Sequence, residues 1–330
     1  MRAIPEDLPE LFARLIETPK TFQRELEWQP CSAAEIAELA QYACDVLSRV
    51  PNLVELREET RDVEFVGDTH GDIDATARII QPFLSEQVES LVFLGDYVDR
   101  GQDGLANFLL VVALACAWPD RVFLLRGNHE DEEMNGEYGF DYELMSRYRD
   151  TGEYAAVKDA INSVFDVLSL AALSPRDSLA VHGGIARDWD GPRELNNIPK
   201  PHRGLQDLCS VGGVGILNKI FYEIRWNDPK EVQEDLFTPS DRGPGIYFFS
   251  QEALDAFLAK NNLCRLIRAH DATRGGFQRL FDGRLLHVFS TEPYHGQVPH
   301  AYVIHEQANG QTILRDLDFN SVGAIEDPPE

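Results

Sequence analysis

The stretch VEFVGDTHG, Val63 to Gly71, sets a pattern that returns as LVFLGDYVDRG, Leu91 to Gly101, and as VFLLRGNHE, Val122 to Glu130. Each begins with a short run of Val, Leu and Phe, then breaks at a glycine into polar side chains. That is how a buried strand hands over to a turn. Helix-like stretches lie between them, around Ile73 to Leu84 and Leu105 to Ala117. The order is therefore β-α-β-α-β, and the fold class is α/β.

Beyond this unit, Asp131 to Leu168 reads as mostly helical, and SLAVH (Ser178 to His182) as a fourth strand closed by Gly183 and Gly184. The last third mixes a helix, Gln251 to Lys260, with strands at Leu263 to Ala269, Arg284 to Ser290, Ala301 to His305 and Thr312 to Leu317. Toward the N-terminus, residues 1–60 read as helical. Ala33 to Val50 places Ile36, Leu39, Ala40, Ala43, Val46 and Leu47 on one face, with Ser32 as N-cap. No internal repeat and no long linker is present. The expected layout is a helical segment 1–60 packed on the core, one α/β unit 61–320, and a disordered tail 321–330 whose last residues read EDPPE.

At 330 residues and 43% hydrophobic content, the chain can build a large core without disulfide or metal staples. Its net charge of −26 repels a phosphate backbone and no basic stripe offsets it, so nucleic acid is not an expected partner. The longest apolar run, FLLVVALACAW from Phe108 to Trp118, falls short of the roughly 20 residues that cross a bilayer. The opening MRAIPEDLPELFARLIETPK carries acids and proline where a signal peptide needs unbroken apolar sequence. Cys31, Cys44, Cys116, Cys209 and Cys264 are odd in number and lack CxxC spacing. They read as reduced thiols, and the expected location is cytoplasmic, without membrane contact.

The strand ends carry the chemistry. Asp68 and His70 follow the first strand, Asp96, Asp99 and Arg100 the second, Asn128 and His129 the third. His182 closes the SLAV strand, and His270 follows the strand from Leu263. Ligands of open α/β sheets gather at the carboxyl ends of strands, so residues scattered in sequence can meet there. Two carboxylates brought together share a proton unless a cation lies between them. With the imidazoles and Asn128 they form a mixed oxygen and nitrogen shell that suits Mn, Fe or Zn better than calcium. No cysteine joins it, as one would in a structural zinc site. Two divalent cations about 3.5–4 Å apart are the usual clamp for displacement at phosphorus. Singly, each motif has a plainer reading: a turn for DTH and GNH, a backbone-satisfied buried histidine for HGG and RAH. Their joint occurrence, in order and each after a strand, points to a metal centre.

Together, GDTHG, GDYVDRG, RGNHE, HGG and RAH resemble the PPP family of metal-dependent protein serine/threonine phosphatases. The likeness extends through RWNDP (Arg225 to Pro229), SDRGPGIYFFS (Ser240 to Ser250) and the segment ending at Tyr294, covering about Ser32 to Leu317. It implies a central β-sandwich flanked by helices, with a dimetal site at the strand ends. One metal would be held by Asp68, His70 and Asp96, the second by Asp96, Asn128, His182 and His270. A hydroxide between the metals would then attack the phosphorus of phosphoserine or phosphothreonine directly, with no phosphoenzyme. His129 would protonate the leaving oxygen, with Asp99 orienting the imidazole and raising its pKa; such a donor is typically worth about 10²–10⁴-fold. Arg100 and Arg242, with Asn128 and Tyr294, would hold phosphoryl oxygens through bonds that lysine cannot reproduce, and Tyr138 is a further residue of that cleft.

Phosphoproteins are the implied substrates. The acidic run Asp131, Glu132, Glu133 at the cleft rim favours basic flanks around the phosphorylated residue, beside its plainer role as a helix N-terminus. Departures from the family pattern are STEPYHG at Ser290 to Gly296, where relatives commonly carry SAPNYCG, and a poorly aligning segment from Ile185 to Arg225. The alternative is a small-molecule metallophosphoesterase, such as a dinucleoside polyphosphate hydrolase, on the same metal core. A phosphopeptide-binding protein without turnover would lack a ligand or the proton donor, yet every such position is filled.

Overall fold

The computed structural model of the chain describes residues 2–6, 8–17, 31–60, 62–203, 215–273, 275–292 and 300–329. Helices α1 (Glu10–Glu17) and α2 (Ala33–Leu47) precede strands β1 (Leu53–Glu55) and β2 (Val63–Val66). Next come α3 (Ile73–Ile79), α4 (Gln81–Leu84), β3 (Ser90–Phe93), α5 (Gly104–Ala117) and β4 (Val122–Leu124). Three helices, α6 (Glu132–Tyr138), α7 (Phe140–Tyr148) and α8 (Tyr154–Phe165), lead to β5 (Ala171–Leu173) and β6 (Ser178–Val181). The remainder is α9 (Ile216–Trp226), β7 (Asp228–Pro229), β8 (Phe237–Pro239), β9 (Tyr247–Phe249), α10 (Gln251–Asn261) and β10 (Arg265–Arg268). It finishes with β11 (Phe277–Leu280), β12 (Leu285–Val288), β13 (Tyr302–Glu306), β14 (Thr312–Asp316) and β15 (Ser321–Ile325).

Two six-stranded sheets result, in the orders β1-β5-β6-β10-β12-β11 and β15-β14-β13-β2-β3-β4, with a small third sheet β7-β9-β8. They pack face to face because alternate side chains of each strand point to opposite faces. Val63 and Phe65 of β2, Val92 of β3, Ala180 of β6, Ile267 of β10 and Leu286 of β12 meet in one cluster between the sheets. Their neighbours Val66, Leu91 and Phe93 turn the other way, onto Leu105, Phe108 and Val112 of α5. On the sheet that holds β6, β10 and β12, Leu179, Val181, Leu266 and Leu285 turn onto Phe221 of α9 and Leu254 of α10. Both faces are covered, which is why β2, β3, β6, β10 and β12 are buried along their whole length. Each buried phenylalanine of the set contributes roughly 1.5–3 kcal/mol. Helix α5 is buried on every side, so FLLVVALACAW is a core helix; no described helix is long and apolar enough to cross a membrane.

Local signals hold at the N-terminus. Ser32 caps α2 in a reciprocal box: its Oγ accepts from the Glu35 N–H at 3.2 Å and Glu35 Oε2 accepts from the Ser32 N–H at 2.7 Å. Such a cap stabilises by about 1 kcal/mol. Leu11, Phe12 and Ile16 of α1 and Ile36 and Leu39 of α2 share the cluster that covers α5.

Two expectations need correction. Residues 1–60 are not helical throughout, since β1 lies parallel to β5 with Leu53 opposite Ala171. A three-residue strand is too short to show a period. Residues 321–330 are not all a disordered tail: β15 pairs antiparallel with β14, burying Ile325. The outer edge of β14 needs partners for its N–H and C=O groups, and β15, exposed from Ser321 to Ala324, supplies them without any buried period of its own.

Topology places one end of both sheets together. β2, β3 and β4 run parallel, as do β6, β10 and β12. A bridge between Asp68, beyond β2, and Phe289, beyond β12, ties the sheets at their carboxyl ends.

Candidate metal centre

The turns after these strands are tight and unusual. Gly95 has φ +114°, and a Cβ there would sit 2.5 Å from the Gly127 nitrogen and 2.9 Å from His182 Nδ1. His70 (39°), Asp96 (55°), Asp99 (65°), Arg100 (65°) and His270 (79°) all carry positive φ. Non-glycine residues held this way cost of order 1–3 kcal/mol each and gather at functional sites. Four of the five, His70, Asp96, Asp99 and His270, are buried at the strand ends, and Arg100 is exposed.

Two groups form around one carboxylate. His70, Asp96 and His129 offer ligand atoms that lie within 4.8 Å of one another, and so do Asp96, His182 and His270. Asp96 is common to both, as a bridging ligand would be. His70 Nδ1 lies 2.9 Å from the Val98 carbonyl, and His182 Nδ1 the same distance from the Leu94 carbonyl. A carbonyl accepts only, so each ring carries its proton on Nδ1 and aims the Nε2 lone pair into the site. His70 Nε2 then faces Asp96 Oδ2 at 3.7 Å, and His182 Nε2 faces Asn128 Oδ1 at 2.9 Å and Asp96 Oδ1 at 3.3 Å. Acceptors converging on acceptors are the arrangement of a cation site, and the carbonyl behind each ring is its usual support.

Asp68 stands behind the two groups. Its Oδ1 accepts from the His270 N–H at 3.1 Å and lies 3.8 Å from His182 Nδ1. Its Oδ2 and the Nε2 of His270 are buried without a hydrogen-bond partner, while His270 Nδ1 lies 2.7 Å from Asn128 Oδ1. Burial, and then the charge of Asp96, push the Asp68 carboxyl well above its ordinary range. Burial pushes Asp96 up too, but His182, His129 and His70 overcome it and hold Asp96 low. Without a cation the two buried carboxylates repel each other, and Asp68 bears the cost as a raised pKa. Orphaned atoms, a carboxylate pair and mixed O/N donors all fit divalent first-row metals.

His129 enters the first group but is supported differently. Its Nδ1 meets Asp99 Oδ2 at 2.8 Å, a carboxylate rather than a carbonyl, and its Nε2 is 3.9 Å from Asp96 Oδ2. Asp99 is fully engaged, accepting also from Asn135 Nδ2 at 2.9 Å and from the Phe140 N–H at 2.8 Å. Burial pulls the imidazolium down, but Asp96 and the Asp99 hydrogen bond outweigh it and hold His129 above its ordinary value. Tyr138 packs edge-on against the ring at 5.1 Å between centroids.

The two arginines take unequal positions. Arg100 is exposed, lies 4.0 Å above the Tyr138 ring and, with His70, lines a cavity of about 330 Å³. Arg242, its side chain 31% exposed, donates from Nε to Asp228 Oδ2 at 2.5 Å and from Nη2 to Asp271 Oδ1 at 3.4 Å. Its guanidinium is thus already shared between two carboxylates. Tyr294 lies outside the described residues. Asp131 caps α6 through the Glu133 N–H, and Glu132 pairs with Lys158.

Sequence reading missed the supports. Glu130, fully buried, accepts from the N–H groups of Asp96 (2.8 Å), Tyr97 (2.9 Å) and Gly127 (2.8 Å), locking two turns together. Burial and Asp96 push its pKa up to about 7. Its place directly after His129 was the available signal. Asp228, which receives Arg268 at 2.8 Å as well as Arg242, had only the RWNDP match to point to it.

Comparison with known proteins identifies the family. The calcineurin-like phosphoesterase family matches residues 63–274. The serine/threonine-protein phosphatase 4 catalytic subunit of Saccharomyces cerevisiae is 33% identical over 236 residues, 70% of each chain. The serine/threonine-protein phosphatase BSL2 of Arabidopsis thaliana is 30% identical over 277 residues, which span 82% of this chain but only 26% of that protein. Among solved structures, a protein serine/threonine phosphatase from Saccharomyces cerevisiae with similarity to human phosphatase PP5 gives a TM-score of 0.75 at 26% identity, covering 96% of this chain and 97% of the other. The chain belongs to the calcineurin-like phosphoesterases and, within them, to the PPP family of serine/threonine-protein phosphatases, which are hydrolases.

Proposed function

We propose that the chain removes phosphate from phosphoserine and phosphothreonine residues of proteins, by direct attack of water at phosphorus. The observation that carries this reading is the Asp99–His129 pair at 2.8 Å, set against the Asp96 cluster. A seryl or threonyl alkoxide is a poor leaving group and needs a proton as it departs; the phosphate leaving group of a dinucleoside polyphosphate does not. A buried imidazole held by a carboxylate beside the site, with its pKa raised, therefore favours the phosphomonoester over the small-molecule alternative.

Asp68, His70, Asp96, Asn128, His182 and His270 would hold two divalent ions, with Mn, Fe and Zn all matching the donor set. Bound there, such ions supply Lewis acidity at phosphorus and a water acidic enough to attack near neutral pH. His129, oriented by Asp99, delivers a proton from Nε2 to the leaving oxygen. Arg100 and Arg242 hold phosphoryl oxygens, Arg242 by exchanging the Asp271 carboxylate for the substrate, and the family resemblance alone assigns Tyr294 to phosphate contact. Asp131, Glu132 and Glu133 select basic flanks around the phosphorylated residue. The location is cytoplasmic, in keeping with thiols that form no disulfide among the described residues.

Hydrolysis of a phosphoserine peptide and of diadenosine tetraphosphate by metal-reconstituted protein tests the reading. Wild type is expected to prefer the peptide, Asp96→Ala to lose metal and activity together, and His129→Ala to keep metal and lose rate. Preference for the tetraphosphate would refute it.

A further inference from the structure

A separate cavity, of about 260 Å³, lies at the opposite end of the strands that carry His182 and His270. Ser178 begins β6 and Arg265 begins β10, and the two are register partners. Arg176, Ser178, Arg265, Glu306, Thr312 and Asp327 line the space. Glu306 and Thr312 are partners across β13 and β14, and Ser178 Oγ donates to Glu306 Oε1 at 2.6 Å, joining the two sheets.

Most of these side chains are buried, with Arg176 half-buried and Asp327 exposed, and three of them are incompletely paired. Arg265 and Glu306 are each 2% exposed. Nη1 of Arg265, Nη1 of Arg176 and Oε2 of Glu306 have no hydrogen-bond partner. Buried polar atoms are paired as a rule, and an unpaired charged group is the costliest exception. Arg265 Nη2 does hold a carboxylate, that of Asp327, at 2.5 Å, although Asp327 itself is 77% exposed.

We propose that this cavity is a binding site for hydrogen phosphate, in which Asp327 is a displaceable occupant. Two guanidinium groups present N–H donors to oxyanion oxygens, a pairing that planar forks favour. Glu306 Oε2 decides which oxyanion is accepted. As an ionised carboxylate it can only accept, so its partner must carry a proton. Hydrogen phosphate brings a P–OH; sulfate at neutral pH brings none and meets the lone pairs of Glu306 instead. With Asp327 seated, the lining charges cancel; with Asp327 displaced, Arg176, Arg265 and Glu306 leave one positive charge for the anion. The Asp327 pair is solvent-exposed on its acid side and therefore weak. Its departure would also loosen the stretch that Pro329 ties to Arg284, whose Nη2 donates to the Pro329 carbonyl at 3.0 Å.

Equilibrium dialysis of the metal-loaded protein with radiolabelled inorganic phosphate tests the site. Phosphate held at the metal centre is common to every variant, so differences among variants report this cavity. Arg176→Gln is expected to weaken the additional binding by about tenfold or more, the scale of one charged hydrogen bond. Asp327→Asn, an exposed change that leaves the core untouched, is expected to strengthen it severalfold. Unlabelled sulfate should not compete for this class of binding. Phosphopeptide hydrolysis should match wild type in both variants, which separates this proposal from the catalytic one. Phosphate isotherms that coincide for wild type and both variants, or sulfate competing as well as phosphate, would overturn it.

Discussion

Asp99→Asn tests the proton donor most directly. In the structure Asp99 Oδ1 accepts from the Phe140 N–H at 2.8 Å, while Oδ2 accepts from His129 Nδ1 at 2.8 Å and Asn135 Nδ2 at 2.9 Å. An asparagine that keeps its oxygen on Phe140 turns an NH₂ toward two other donors. The imidazole must then offer Nδ1 as an acceptor, which leaves a neutral ring and removes the charge that made Nε2 acidic. Loss of general acid catalysis costs about 10²–10⁴-fold, or roughly 3–5 kcal/mol of barrier. The loss should depend on the leaving group. A seryl alkoxide needs the proton, whereas the phenolate of p-nitrophenyl phosphate is stable without it. The assay is kcat for both substrates with wild type and variant at equal metal content, checked by elemental analysis. The expected result is a fall of that size for the phosphoserine peptide and a fall of less than about tenfold for the aryl ester. Equal falls for both substrates, or a parallel loss of metal, would show that Asp99 supports the site and not the proton transfer.

Other expectations are briefer. Gly95→Ala drives a Cβ to 2.5 Å from the backbone nitrogen of Gly127 at φ +114°; overpacking and strain together should cost roughly 2–4 kcal/mol, read from the urea midpoint, and an unchanged midpoint would mean the turn is looser than described. Chelation should lower the melting temperature as well as abolish activity, because a ligand at 100 times its Kd stabilises by about 2.7 kcal/mol; a melt indifferent to chelator would count against the metal centre. Burial lowers the Lys200 pKa to about 7, although its Nζ donates to the Val50 and Val167 carbonyls. Between that value and the unfolded 10.5 the folded state holds fewer protons, so this residue makes stability rise with pH, by at most about 1.4 kcal/mol per unit. Lys200→Met should remove that slope from urea midpoints measured between neutral and alkaline pH, and identical slopes would refute the assignment.

Much of the site was legible because its chemistry is concentrated where strands stop. A glycine after an apolar run marks the turns before Asp68, Asp96 and Asn128; His182 and His270 stand directly at strand ends, and such side chains have few structural uses in these numbers. The supports were not legible. Glu130 acts on backbone N–H groups of two separate turns, and backbone contacts leave no residue-type pattern. Nor could β15 be seen, since an edge strand is specified by the neighbour it completes.

By itself, then, the order of residues determined the α/β class and which metal-capable side chain types stand at the strand ends, because periodicity and turn chemistry are local. Only the tertiary structure decided how they assemble. It made Asp96 common to two groups and set His129 apart by a carboxylate where His70 and His182 have carbonyls. It also brought Arg265, Ser178 and Glu306 around a second cavity. Those relations depend on the register and stacking of two sheets, where partners lie far apart along the chain and the free energy of burial, not sequence proximity, chooses who meets.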